Sequence, residues 1–350
     1  MKTPTIAVII GKMSPFHNGH TALYERALHR YDYVLGVVGS NNQPRTPKLP
    51  WIGPERVEMI KGWYQERRGS RSQLNVVAIR DFWYQDQRWA AEVQTSVRNY
   101  MKQQGLEKAE IYIVGADKDW STYYLKLFPT YKKDLLKDGE ITTFQVNATA
   151  IRDLYFKEPE ARFYAGEVPQ SVASYLEEFK RTDNYQQVLA EYDFYRKYKT
   201  QWAVAPYPPT FITVDAVVIQ GAHILMVRRR ATPGKGLLAL PGGFVNENER
   251  IQAAVLRELR EETRLKVPTP VLMGSLQGRE VFDDPGRSLR GRTITNAFLF
   301  HLTESDELPQ VKGGSDAFKA SWIPLSDLEE LEPEIFEDHL GIIQRMTGSL

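Results

Sequence analysis

The sequence predicts an α/β protein in two parts, a parallel sheet wound with helices followed by an α+β domain. Three observations carry that prediction. Short β-branched apolar runs alternate with longer helix-like stretches through the first half, the character of the chain changes around 180–210, and beyond that point alternating strands flank one strong helix. At 350 residues the chain suits two domains, since single domains mostly hold roughly 100–200 residues.

In chain order, the first half reads as strand Ile6–Ile10 and helix 19–30, strand Tyr33–Val38 and helix 54–67, strand Leu74–Ile79 and helix 87–103, then strand Ile111–Val114 and helix 121–128. Ligands of such sheets sit at the carboxyl ends of the strands. The stretch DNYQQVLAEYDFYRKYKTQW looks helical and amphipathic, and AVAPYPPTF carries three prolines in a short span. We therefore expect domains at 1–183 and 210–350, joined by a helix and proline-rich linker over 184–209. In the second half, strands Phe211–Ile219, His223–Arg229, Thr293–His301 and Phe318–Ile323 flank a helix at 249–265.

Composition removes several function classes. Lys and Arg total 45 against 44 Asp and Glu, without obvious runs, so the electrostatic footprint of a general nucleic-acid binder is missing. Small polyanions need only a few local arginines. With no cysteine there is no disulfide, thiolate zinc site or cysteine nucleophile. The apolar start is short and broken by Gly11 and Lys12, supporting neither a secretory signal nor a membrane span. A soluble cytoplasmic protein with no nucleic-acid or membrane partner is expected, its oligomeric state left open.

The segment TIAVIIGKMSPFHNGHTALYERAL places two histidines between a strand end and a helix start. Asn18 is a favoured N-cap for a helix beginning at Gly19. The helix start offers N–H groups and a positive dipole to a phosphate, and His17 and His20 can donate hydrogen bonds to the same oxygens as charge builds up. Nucleotidyl transfer to an ionised phosphate needs in-line positioning and charge neutralisation, with a magnesium ion bridging the triphosphate, rather than a protein nucleophile. The alternative is a capping residue beside a satisfied, partly buried histidine.

The pattern Gly11-x-x-x-Pro15-x-His17-x-Gly19-His20 resembles the HxGH signature of the nucleotidylyltransferase superfamily, whose domain is Rossmann-like. The segments GADKDWSTYYLKLFP (115–129) and NATAIRDLYF (147–156) are similar to those of archaeal-type nicotinamide mononucleotide adenylyltransferases. That resemblance, over roughly 1–180, implies that His17, His20 and Arg152 act on the ATP phosphates. It also implies that Gly11, Lys12, Asp117, Lys118 and Thr149 lie at the nucleotide site, and that Trp89 stacks near the nicotinamide ring. For Trp89 an aromatic anchor within its helix is the equal alternative.

The second half carries GFVNENERIQAAVLRELREETRL. At about 100° per residue, Glu258, Glu261 and Glu262 share about a third of the helix circumference. Such crowding suits divalent cations, since magnesium and manganese prefer hard oxygen ligands. Val255, Leu256 and Leu259 occupy the side that would bury against the sheet, and Glu249 lies two turns from Arg257, allowing a bracing ion pair.

This segment resembles the Nudix box, GX5EX7REUXEEXGU with U aliphatic, failing only where Arg264 replaces the final glycine, which usually closes the helix with positive φ. The resemblance, over roughly 205–350, implies a Nudix-fold hydrolase of nucleoside diphosphates. Glu258, Glu261 and Glu262, with the carbonyl near Gly242, would hold Mg²⁺ or Mn²⁺, and Glu261 and Glu262 would be catalytic. A further base often lies on a downstream loop, where Glu280, Asp283 and Asp284 are the candidates, and Arg287, Arg290 and Arg292 could meet phosphates. The loop DDPGRSLRGR resembles ADP-ribose pyrophosphatases, and the SQPWPFPxS segment of NADH pyrophosphatases is absent. The expected function is therefore bifunctional: NAD and pyrophosphate from nicotinamide mononucleotide and ATP, and AMP and ribose 5-phosphate from ADP-ribose. The alternatives are another acceptor such as phosphopantetheine with a dinucleoside polyphosphate, or a Nudix half that senses ADP-ribose without hydrolysing it.

Overall fold

A computed structural model of the chain describes residues 3–67, 74–116, 120–136, 147–160, 166–315 and 317–348. Its contacts divide into two compact units, Met1–Leu189 and Ala190–Leu350.

The first unit runs β1 (Thr5–Gly11), α1 (Asn18–Arg30), β2 (Tyr33–Val38), α2 (Gly53–Glu66), β3 (Leu74–Ala78), α3 (Asp86–Gln103), β4 (Glu110–Ala116), a 3₁₀ segment (Trp120–Leu127), β5 (Lys132–Leu136), α4 (Ala148–Lys157) and α5 (Gln170–Phe179). The five strands are all parallel, in the order β3-β2-β1-β4-β5. Ile6, Ala7, Val8 and Ile9 are completely buried, as a central parallel strand covered on both faces requires. The strand order reverses between β1 and β4, so the crevice at their carboxyl ends is the natural ligand position. The loop from β1 to α1 opens there. Strand β5 was not anticipated: Lys132, Lys133 and Asp134 give an edge strand no continuous apolar run.

Helix α6 (Asp183–Trp202) begins in the first unit and continues into the second. The sequence reading assigned this helix, with the prolines after it, to a linker over 184–209.

The second unit continues with β6 (Thr210–Gln220), β7 (His223–Arg229), β8 (Leu238–Ala239), β9 (Gly242–Phe244), α7 (Ile251–Thr263), α8 (Thr269–Gly274), β10 (Leu276–Phe282), β11 (Arg292–His301), β12 (Ala317–Pro324) and α9 (His339–Thr347). The mixed sheet has the order β10-β11-β6-β7-β12, with β8 on β7 and β9 on β6. Ala254, Val255 and Leu259 of α7 pack into a core with Val214, Ala216 and Phe298 of the sheet, so the opposite side of α7 carries the acids. Strand β10 alternates between half-buried and exposed positions, too weak a pattern to have been read as a strand beforehand. Among the described residues no helix is long and apolar enough to cross a membrane.

Candidate functional sites

In the first unit, α1 is capped by His17, one residue before the expected Asn18. The Gly19 amide donates to Nδ1 of His17 at 3.1 Å, and the His17 amide donates to Nδ1 of His20 at 3.3 Å. The two rings stack with centroids 3.7 Å apart. An Nδ1 that accepts from an amide carries no proton, so the neutral imidazole holds its hydrogen on Nε2 and is a donor there. One feature expected from the sequence changes. The first amides of α1 are committed within the protein, Asn18 to the Glu167 carbonyl and His20 to that of His17. His17 is buried and His20 half-buried, so what the helix end itself presents is its dipole rather than open amides.

The second signature reaches the same loop. Asn147 caps α4 by accepting the Thr149 amide at 2.8 Å. Arg152, one turn on, donates to the hydroxyl of Thr149 at 3.1 Å and to the carbonyl of Ser14, three residues before His17. Burial pushes its guanidinium down to about 10. His17, Arg152 and Thr149 are thus joined through one short piece of chain. Gly11 accepts the Gly39 amide at 3.2 Å, and Lys12 is exposed with its carbonyl held by Arg56. Trp89 is partly buried and packs edge-on against Tyr124 and Phe128. Asp117 and Lys118 lie outside the described residues.

Arg56 was missed by sequence reasoning. Completely buried on α2, it donates to the carbonyls of Trp51, Ile52, Lys12, Gly39 and Ser40, tying the chain after β1 to the chain after β2. Its signal was an arginine on the same face as the apolar Ile60 and Trp63, four and seven residues on.

In the second unit, Arg257 organises the acidic helix. Its Nε donates to Glu249 at 2.8 Å and its other nitrogens to Glu258 at 2.8 Å, Glu261 at 3.1 Å and the Phe244 carbonyl at 3.1 Å. The expected bracing pair is present, although Glu249 precedes the helix rather than lying on it. Glu258 is largely buried, which pushes its carboxyl above the usual range, and Glu261 is half exposed. Glu262 is buried and accepts the Gly242 amide at 3.0 Å. Arg264 holds φ +50, ψ 29, so the left-handed helix end expected of glycine is kept by arginine.

The three carboxylates are hard oxygen donors of the kind a divalent cation takes, and Gly243 leaves space that a Cβ would fill, 2.5 Å from the nearer oxygen of Glu258. Among the described residues the acids and imidazole whose ligand atoms converge to within 4.8 Å are instead Glu337, Asp338 and His339, while Glu258 and Glu261 are drawn onto Arg257.

Beside this helix lies a cavity of about 240 Å³ whose walls include Glu262, Gly242, Gly243, Arg229, Arg290 and Glu337. None of the three expected loop acids lines it. Glu280 pairs with Arg345, Asp283 with Arg292, and Asp284 turns back to the Gly286 amide. The cavity's acids are Asp215, Glu262 and Glu337. Asp215 accepts the Thr295 hydroxyl at 2.5 Å, with Arg287 at 4.0 Å. Arg287 is not a surface arginine: it forms a buried two-pronged pair with Asp338, both bonds 2.9 Å. Glu337 sits at φ +46 with Arg290 at 3.4 Å, and its Oε1 has no hydrogen-bonding partner among the described residues. Burial pushes its carboxyl up. His339 accepts the Leu240 amide at 2.8 Å through Nδ1, and burial drives it down to about 3, so its 3.9 Å approach to Asp215 joins a neutral ring to the acid. The signal for this cluster was legible as Asp215 inside the apolar run FITVDAVVI.

Residues 209–346 match the NUDIX domain family, and residues 8–132 the family described as cytidylyltransferase-like. An ADP-ribose pyrophosphatase of Methanocaldococcus jannaschii is 34% identical over 133 residues, 38% of this chain and 70% of that protein. A nicotinamide/nicotinic acid mononucleotide adenylyltransferase of Acinetobacter baylyi is 28% identical over 185 residues, 53% of this chain and 92% of that protein. The crystal structure of a bifunctional NMN adenylyltransferase/ADP ribose pyrophosphatase from Francisella tularensis, complexed with AMP and a manganese ion, superposes with a TM-score of 0.89 at 33% identity, covering 99% of both chains.

Proposed function

The chain belongs to the family of bifunctional nicotinamide mononucleotide adenylyltransferase/ADP-ribose pyrophosphatases, and from that premise we propose how its residues divide the two activities. The adenylyltransferase step joins a phosphate oxygen of nicotinamide mononucleotide to the α-phosphorus of ATP and breaks the α–β bridge, releasing pyrophosphate. His17 and His20 donate their Nε2 hydrogens to the phosphate oxygens, where negative charge shifts during transfer. Arg152, with Thr149 beside it, presents its planar fork to the same phosphates. Arg56 holds the loops that position them. Gly11, Lys12, Asp117 and Lys118 belong to the nucleotide site in this reading, and Trp89 remains the proposed neighbour of the nicotinamide.

In the hydrolase, Glu258, Glu261 and Glu262 would hold a divalent cation, with Mg²⁺ the proposed physiological ion and Mn²⁺ an alternative. When bound, such a cation polarises the pyrophosphate and acidifies water. Gly242 fixes Glu262 through its amide, and Arg257 holds Glu258 and Glu261 in register. Water adds across the pyrophosphate of ADP-ribose, one P–O bond forming as the other breaks, to give AMP and ribose 5-phosphate. Glu337 replaces the loop acids as acceptor of the proton that water loses, since a buried carboxyl with a raised pKa works nearer neutrality. A cytoplasmic location completes the reading.

The observation that carries it is the presence of two phosphate-directed arrangements in one chain, imidazoles capping a helix and acids along another. The test is incubation of the purified protein with nicotinamide mononucleotide, ATP and Mg²⁺, and separately with ADP-ribose and Mg²⁺, with products separated chromatographically. NAD with pyrophosphate, and AMP with ribose 5-phosphate, are the expected pairs. Phosphopantetheine or dinucleoside polyphosphates turning over in their place would replace the assigned substrates.

A further inference from the structure

We propose that helix α6, which precedes the matched Nudix residues, is part of the hydrolase site: Phe194 and Tyr198, together with Phe244, form an aromatic wall on which the base of the nucleotide substrate stacks. The inference rests on the hydrolase reading and adds to it the residues that recognise the base. All three rings line the cavity that Glu262, Gly242 and Gly243 also line. None belongs to the buried core of this unit. Phe244 is 39% exposed, and Phe194 and Tyr198 are half-buried, so all three present ring surface to the cavity they line.

Their arrangement is that of a platform. Phe194 and Tyr198 are one helical turn apart and stack with centroids 5.9 Å apart and 27° between planes. Phe211 supports the platform edge-on, 5.8 Å from Tyr198 and 5.9 Å from Phe244. Arg290 lies over Phe244 at 5.3 Å. The helix is fixed to this unit at both ends of the stretch, since Glu191 accepts the Gly234 amide at 2.8 Å and Trp202 packs on Phe211 at 5.2 Å. The cavity is therefore walled by Glu262 of the acidic helix and by the rings of α6 and β9. Of the parts of a nucleoside diphosphate sugar, the two sugars present hydroxyls that need polar partners, whereas the base presents flat π-faces. The base is the part the aromatic wall suits.

The test uses the full-length protein with Tyr198→Leu, Phe194→Leu and Tyr198→Phe. Kinetics with ADP-ribose are combined with calorimetric titration of AMP in the presence of Mn²⁺. Removing one stacking ring is expected to raise KM and weaken AMP binding by roughly ten- to a hundredfold, with kcat within about threefold of the parent. Tyr198→Phe keeps the ring and is expected to stay within about twofold of the parent, which also guards against misfolding as the cause. A KM and AMP affinity unchanged in both leucine variants, or a fall in kcat alone, would overturn the proposal. So would an equal loss in Tyr198→Phe. A parent protein that fails to hydrolyse ADP-ribose would instead overturn the reading on which the inference rests.

Discussion

In the proposed reading the two units handle the same chemical group by opposite means. The first would meet phosphate with donors, two imidazoles whose Nδ1 atoms are spent on the cap of α1, which leaves the ring hydrogens on Nε2. The second would meet it through a cation, on carboxylates of which Glu258 and Glu261 are held by Arg257 and Glu262 by the Gly242 amide. The difference teaches that the first site is built from backbone conformation, since its ligating groups are the capping groups. The second is built from side-chain charge on a helix whose other face is locked in the core. The first should therefore be the more sensitive to loop geometry, and the second to single charges.

The largest effect expected from breaking this contrast is on the second site. Glu262→Gln removes a charge beside the Gly242 amide and should lower ADP-ribose hydrolysis on the order of a thousandfold, measured as initial rates in saturating Mg²⁺, with NAD synthesis kept. Next comes the frame of the first site. Arg56→Met leaves five backbone carbonyls without their buried donor and should destabilise the first unit by about 3–5 kcal/mol, read as a lower denaturation midpoint. A midpoint unchanged to within about 0.5 kcal/mol would separate loop geometry from Arg56.

His20→Ala should cost NAD synthesis about a hundredfold, about 2.7 kcal/mol. Because alanine also deletes half of the capping box, His20→Asn sharpens the comparison. If the imidazole's role is transfer rather than capping, asparagine restores stability while activity stays low.

The fourth prediction concerns acid. His339 is neutral in the fold with its pKa lowered to about 3, against an ordinary value of 6.5. Between those values the unfolded chain binds the extra proton, so stability is lost as pH falls below 6.5, by up to about 1.4 kcal/mol per pH unit. His339→Gln should flatten that slope in thermal melts of the second unit between pH 6.5 and 5. The smallest effect expected is at the helix end, where Arg264→Gly relieves a left-handed arginine at about 1 kcal/mol, seen as a small rise in melting temperature.

Much of this was legible in the chain before any coordinates. The runs Ile6–Ile10 and Tyr33–Val38 are strands because branched apolar residues fully buried in a parallel sheet leave a continuous signature, and the spacing from Arg257 to Glu262 survives because one helix carries it. What escaped depends on contacts between distant segments. Nothing local to Arg56 says that five carbonyls converge on it, and nothing local to Glu280, Asp283 or Asp284 says that they point away from the cavity. Glu337 reaches it only because the chain before α9 returns alongside β8, the Phe336 amide donating to the Leu238 carbonyl. The cap shifted from Asn18 to His17 because an imidazole can take the role an amide side chain usually fills, a choice that propensity does not foresee. Helix α6 was read as a linker because its amphipathic pattern identifies a face without saying what meets it.

The measurement that bears most directly on this division is a crossed assay, both product pairs quantified for His20→Ala and for Glu262→Gln under one set of conditions. Each variant should lose one pair and form the other at the parental rate. A variant in which both pairs fall together would contradict two separately built phosphate sites in this chain.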